Sequence, residues 1–583
     1  MVNSNINISD RTLELAPVTI SQGANLGFHP PIIYLENTWQ YLGTLNWNHR
    51  KHNFKFGAGI IRRQDTSTQT DSAAGTWTFN TFSDLLTGTF TNASRNAILI
   101  TPHNRSWEPH AFVQDDWHIA SNLTLNLGIR WDYYQPYTET RNQLSNFDID
   151  TGTIVVAGTS GVNKYGNVRP DYTNIAPRIG FAYTVMPSTV VRGGFGMTYA
   201  PENLTSGSAL VNQPFTGSYG PCSTVLVVGT STGCDPAYAH FAAGLPLPTP
   251  RSATNPAGSV SAALDSHFKS TYLEQFNLTA EREFGATVVS LTYVGELGRR
   301  MAYYLPDANT FAANMGIAGG AGLRLYAATS PNVTSVPLFT SKGNGSYNGL
   351  QFVAKRRLTK GLDLSFNYTF AHGLDDSEAI SNDGGDGFGS VPSQVSALEY
   401  GNSNLDVKHR FSGTFNYALP FGSSLTGFEG ILAKGWQTNG LVSWNTGLPF
   451  SITNLNNLGG TRPGTTNSDR PNQVAGLKVS HPSVTQWFNT AAFQAQVAGT
   501  VGNEHRDQVR GPGLQRVDLS IFKTIPLTER FNFEFRTEAF NVLNTAQFAF
   551  PNAQLGNAAI GTITSTANAY NPRVVQFAGK LRF

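Results

Sequence analysis

Residues 122–131 read NLTLNLGIRW. Leu123, Leu125, Leu127, Ile129 and Trp131 share one parity, and Asn122, Thr124, Asn126, Gly128 and Arg130 share the other. Successive side chains of an extended chain point to opposite faces, so this period of two predicts a strand with one apolar and one wet face. The pattern returns at Leu362, Leu364, Phe366, Tyr368 and Phe370, interleaved with Asp363, Ser365, Asn367 and Thr369. It returns again at Phe531, Phe533 and Phe535, against Asn532, Glu534 and Arg536. Weaker copies run through Ile179, Phe181, Tyr183 and Val185, and through Trp436, Thr438, Gly440, Val442 and Trp444. Strands of about ten residues suit a tilted crossing of an outer membrane.

Composition narrows the class. Charged residues make up 13% of the 583, about half the usual share of roughly 25%. Aromatics reach 11% and glycine numbers 58, yet mean hydropathy is only −0.22. The sequence has no apolar run of the roughly 20 residues that a membrane helix requires. A soluble surface normally carries far more charge. A large membrane barrel reconciles these facts, because alternate residues meet lipid and water. A secreted all-β protein is the alternative on composition alone. The net charge of +2, with no Lys/Arg run, gives no footprint for nucleic acid.

Alternation lays out hairpins pairing 38–48 with 53–62, 106–117 with 122–134, and 176–186 with 189–199. Further pairs are 272–283 with 287–297, 347–357 with 361–371, 407–419 with 434–446, and 514–524 with 530–541, before a last strand at 572–583. With an uncertain first strand this makes about sixteen. Connections within pairs are tight, the stretch from Pro420 to Lys434 being the longer exception; those between pairs are long and rich in Gly, Asn, Ser, Thr and Pro. Sorting of loops by parity is the topology of an all-β, transmembrane antiparallel outer-membrane barrel, with short periplasmic turns and long external loops. Trp39, Trp47, Trp117, Trp131, Trp436 and Trp444, with Tyr133, Tyr134, Tyr199 and Tyr368, fall near strand ends, where rings at the headgroup level form girdles.

Phe112–Asp132 (FVQDDWHIASNLTLNLGIRWD) and Ala176–Tyr199 (APRIGFAYTVMPSTVVRGGFGMTY) resemble strand–turn–strand segments of TonB-dependent receptors. Gly511–Asn544 (GPGLQRVDLSIFKTIPLTERFNFEFRTEAFNVLN) is similar to the C-terminal region of the Oar-like TonB-dependent transporters, and the resemblance covers nearly the whole chain. It implies outer-membrane transport of a large solute: a siderophore, vitamin, oligosaccharide or peptide. External loops would capture the solute, a plug would gate the lumen, and TonB would supply energy through the plug. Such receptors carry a signal peptide, a carboxypeptidase-regulatory-like domain and a plug ahead of a barrel of about 22 strands. Met1–Pro17 lacks a charged segment followed by an apolar core and is not a signal peptide. The expectation is that residues 1–583 are the barrel portion, with upstream strands, plug and regulatory domain outside them. A terminal strand ending in Phe583 resembles the signal by which the barrel-assembly machinery recognises its clients. The partners so implied are outer-membrane lipid, TonB through the plug region, the assembly machinery and the imported solute.

Arg130, Arg178, Arg192, Arg410, Asp518, Glu534, Arg536 and Glu538, with Lys580 and Arg582, fall on the predicted lumen face. Two readings fit them: contacts to one another or to a plug, and plain solvation of the wall. Cys222 and Cys234 could close a loop disulfide in an oxidising compartment, or stay free thiols. Asp375, Asp376, Glu378, Asp383 and Asp386 cluster with glycines, but not at EF-hand spacing, and read as a solvated loop. His49 and His52 flank a tight turn without a third ligand, so no metal is assigned. Nucleophile and phosphate-loop motifs are absent, which gives no reason to expect an enzyme or a cofactor. An adhesive or structural surface protein without transport is one alternative; a secreted all-β carbohydrate-binding protein or enzyme is another.

Overall fold

The computed structural model describes residues 18–21, 24–26, 33–68, 75–200, 210–224, 233–238, 241, 244–246, 248–305, 307–309, 324–376, 396–455, 470–497, 500, 502–567 and 570–583. A wall of fifteen long strands dominates it. These are β1 (Ile33–His49), β2 (His52–Thr68), β3 (His103–Ala120), β4 (Leu123–Asp132) and β5 (Ile175–Met186). Then come β6 (Thr189–Tyr199), β7 (Tyr272–Phe284), β8 (Thr287–Leu305), β9 (Leu338–Thr359) and β10 (Leu362–Asp375). The last five are β11 (His409–Ala418), β12 (Trp436–Asn445), β13 (Leu514–Pro526), β14 (Asn532–Phe540) and β15 (Val574–Arg582). Each pairs antiparallel with the next in the chain. Among the described residues, β1 pairs with β2 alone and β15 with β14 alone.

Register explains which face meets what. Leu278, Tyr293, Leu350 and Phe370 are successive partners across β7, β8, β9 and β10, and all four are exposed. Contiguous exposure of that kind would be a liability in water; against lipid it is the required outer surface. Trp39 and Trp47 share this face eight residues apart in β1, on the order of 26 Å along the strand. On a strand tilted by about 40° this projects to about 20 Å along the membrane normal, within reach of an apolar band about 25 Å tall. Trp107 and Trp131 continue the upper girdle, while Trp117 and Trp436 continue the lower one. Tyr368 also sits on the outer face, between Phe352 and Phe411. Tyr133, Tyr134 and Tyr199 depart from the girdle expectation. Tyr133 is buried and stacks on Tyr172 at 4.5 Å, and Tyr134 donates to the Tyr199 carbonyl. They pack the foot of the loop layer instead of meeting lipid.

Tight turns gather at one end of the wall and long connections at the other. Among the described residues the apolar cores lie among the long connections and not within the wall. One of them holds Val18–Ile20 and Ala24–Leu26, which join Thr76–Phe79, Asn92–Ile98 and Thr216–Cys222 in a separate five-stranded sheet. The wall thus has fifteen strands among the described residues, against the expected sixteen or so, and the uncertain first strand has no counterpart in the wall among them. Trp77, Phe79, Phe90 and Leu245 form its core. The structure joins Cys222 to Cys234 in a disulfide at its edge. A second packed region centres on Phe147, Val260, Val333 and Val336, and a third on Phe450, Ile452, Phe488 and Phe493. Strands such as β9, 22 residues long, run past the membrane band to carry this cap.

Candidate functional site

The site is the inner face of the wall with the loop cap above it. Residues two apart on a strand share a face, and this builds charge pairs along single strands. Arg130 holds Asp132 through both its Nε and Nη2, at 2.8–3.0 Å. Arg516 pairs with Asp518 at 2.9 Å, and Asp518 also accepts from the Asn541 backbone N–H. Arg536 lies between Glu534 and Glu538 on β14, with its guanidinium 4.6 Å from the Phe522 ring centroid. Arg582 of β15 reaches Glu534 at 2.6 Å, and Lys580 is its partner in register. Arg192 bonds Glu281 across strands at 3.1 Å.

A further cluster escaped the sequence reading. Arg63 on β2 bonds Glu108 on β3 at 2.7 Å and approaches Glu36 on β1 at 3.5 Å. Its members are up to 72 residues apart in the chain, so no local spacing announces them. Arg178 and Arg410 also face inward, beside Gly196 and Asn445, and neither forms an ion pair among the described residues. The inner wall thus neutralises most of its own charge and presents two arginines with unused donors. Half-exposed pairs of this kind are each worth about 0–1 kcal/mol; they shape the field of the lumen more than they stabilise the wall.

The cap contains a buried ionic knot. Arg470 pairs with Glu399, Arg506 with Asp375, and Arg510 with Asp406; His372 lies 3.1 Å from the same Asp406. These bonds tie the top of β10 to the two long connections 376–408 and 446–513. Glu504 sits among them with no exposed surface. One of its carboxylate oxygens accepts from the Ile452 backbone N–H at 2.9 Å, while the other has no hydrogen-bond partner. Burial pushes this carboxyl up to about 8 against that hydrogen bond and the attraction of Arg470.

The acidic segment expected to be a solvated loop is corrected at its start. Asp375 is locked to Arg506, and Asp376 accepts from the Asn344 backbone at 2.5 Å; Glu378, Asp383 and Asp386 lie outside the described residues. His52 pairs with Asp115 at 2.7 Å and stacks on Phe54 and Trp117 near the tight-turn rim. No group of three or more His, Cys, Asp or Glu comes together as a metal site among the described residues. Phe583 follows β15 and is 95% exposed.

An amphipathic wall with its apolar face outward and its charges inward has the form of a membrane barrel, and comparison with known proteins agrees. The family model described as outer membrane beta barrel domain matches residues 2–576. The chain belongs to that family. Its place is the cell outer membrane. The outer-membrane transporter YddB of Escherichia coli superposes with a TM-score of 0.52 at 9% identity, covering 97% of this barrel and 57% of that chain. The ferric enterobactin receptor PfeA of Pseudomonas aeruginosa gives 0.46 at 11% identity, covering 96% and 55%. The ferric yersiniabactin uptake receptor FyuA of Yersinia pestis gives 0.42 at 11%, covering 94% and 55%. This outer-membrane barrel therefore spans little more than half the length of the solved transporters it matches. Comparison with curated proteins returns no match.

Proposed function

We propose that this chain is the barrel portion of a TonB-dependent importer of a large solute, with additional wall strands, a plug and a carboxypeptidase-regulatory-like domain supplied upstream. The observation that carries the reading is the pairing of a self-neutralised inner wall with a large, tied cap at the external end. Arg178 and Arg410 retain the donors that a plug carboxylate or an anionic solute would use, and a guanidinium fork suits such groups. External loops take the solute, the plug gates the lumen, and TonB supplies the energy.

Whole-cell accumulation tests the reading. Cells carrying the full-length gene are offered ferric siderophores, vitamin B12, oligosaccharides and peptides, with TonB present or deleted. Energised accumulation of one class, lost without TonB and lost on plug deletion, is the expected result. Accumulation that persists unchanged without TonB would overturn it, as would surface attachment with no accumulation of any class, which is the adhesive alternative.

A further inference from the structure

Among the tight-end connections, 419–435 between β11 and β12 stands apart because it contains a helix, Gly427–Ala433. It exposes Phe421, Leu425, Phe428, Ile431 and Leu432, Phe428 at 74%. A turn bathed in water has no reason to show five large apolar side chains within twelve residues. Leu527 and Phe531, in the tight turn between β13 and β14, are exposed as well.

The position of Lys523 fixes where the helix lies. Lys523 is in register with Trp436, on the same face of β13 as Val517 and Ile521, which is the lipid face. Its ammonium is nevertheless buried. It donates to the carbonyls of Ile431 at 2.6 Å and Leu432 at 3.0 Å, and to that of Lys434. It also stands 5.3 Å over the Trp436 ring. The Trp436 indole N–H donates to the Leu432 carbonyl at 2.9 Å. The last turn of the helix is thus clamped to the outside of the wall, at the lower tryptophan girdle, and not beneath the lumen. The clamp also removes a cation from a surface that must face hydrocarbon, since Lys523 satisfies its donors on carbonyls at the C-terminal end of the helix.

We propose that 421–432 is an in-plane membrane anchor, its apolar side chains seated in the leaflet on the tight-turn side of the outer membrane. The occupant of this face is a phospholipid surface. The patch continues the lipid-facing band of the wall, and short helices with one apolar side bind at the headgroup–acyl boundary. Anchoring there fixes the rim of β11 to β14 at a set depth.

The test uses the full chain carrying Phe428→Cys, reconstituted in phosphatidylethanolamine/phosphatidylglycerol vesicles and labelled with an environment-sensitive dye. Cys222 and Cys234 are tied to each other, so the new thiol labels alone. Leu278→Cys on the lipid face and Ser252→Cys in the cap serve as references. Quenching by lipid spin-labelled near the headgroup should exceed quenching by aqueous iodide, roughly twofold or more, as for a side chain at the interface. Free quenching by iodide with none from the lipid probe would overturn the proposal. Protection from both would also overturn it, since a second copy or another protein would then cover the face. Each outcome is read independently of solute uptake, so the anchor and the transport function fail or stand separately.

Discussion

Glu504 is the residue whose chemistry is most exposed to test. Its carboxyl, 4.5 when unperturbed, is pushed up to about 8 by burial. Between those values the folded cap holds a proton that the unfolded chain has released, so local stability falls as pH rises through that window. Glu504→Gln keeps the neutral, hydrogen-bonding form and should flatten the dependence, sparing the cap on the order of 1–3 kcal/mol at pH 9. Protease susceptibility of the cap during heating at pH 5, 7 and 9 measures this; an unchanged slope in the variant would place the titrating group elsewhere. Nothing in the sequence around Glu504 announces this behaviour. Its partners Arg470 and Ile452 are separated from it by 34 and 52 positions, and burial in a loop cap leaves no periodic trace. The wall charges were legible for the opposite reason. Glu534, Arg536 and Glu538 sit two apart in an alternating strand, so parity alone puts them on one face, whereas Asp132 and Arg516, the partners of Arg130 and Asp518, were not singled out although the same parity holds for them.

The wall strands owe their fit to glycines as much as to aromatics. The Phe276 ring lies across Gly295 on the neighbouring strand, so that a Cβ there would stand 2.2 Å from it. Phe415 covers Gly440 and Phe181 covers Gly193 in the same way, at 2.5 and 2.8 Å. Gly295→Val should lift the Phe276 ring off the wall and cost about 1–3 kcal/mol by overpacking. The expected sign is a lower temperature at which the folded barrel loses its fast gel mobility. Adding Phe276→Ala to Gly295→Val should restore part of the loss; a double variant worse than the single would show that ring and glycine do not compete. Element positions were largely readable, because period two over ten residues is a strong signal. All fifteen wall strands coincide with alternating segments. Rings near strand ends misled, since Tyr133, Tyr134 and Tyr199 pack the cap foot; Val18–Ile20 and Ala24–Leu26, three residues each in a separate sheet, are too short to print an alternation. The helix in 419–435 is too brief to print a helical period, being seven residues.

At the scale of the molecule, strand direction constrains how the wall closes. The fourteen neighbour pairs are all antiparallel, so β1 and β15, at the two edges, run in the same direction. Direct contact between them would be a parallel pairing among long strands that otherwise all pair antiparallel. Antiparallel closure takes an odd number of strands between these edges: one gives sixteen, and seven give the roughly 22 of plugged transporter barrels. Distance separates the cases. With strands about 4.8 Å apart, one intervening strand leaves the edges about 10 Å apart, whereas seven spread along the wall for nearly 40 Å. Thr44 and Gln576 face inward at similar height, each five or six residues above the lower ends of β1 and β15. In the full-length protein, Thr44→Cys with Gln576→Cys should form no disulfide, whose Cβ atoms must approach within about 4.5 Å. Spin labels at the same two positions should report a separation beyond about 25 Å, as expected for a chord across seven strand spacings or more. A ready disulfide would establish direct closure, and a distance near 10 Å would establish a sixteen-stranded barrel. Either would remove the room for a plug of the size the transport mechanism requires.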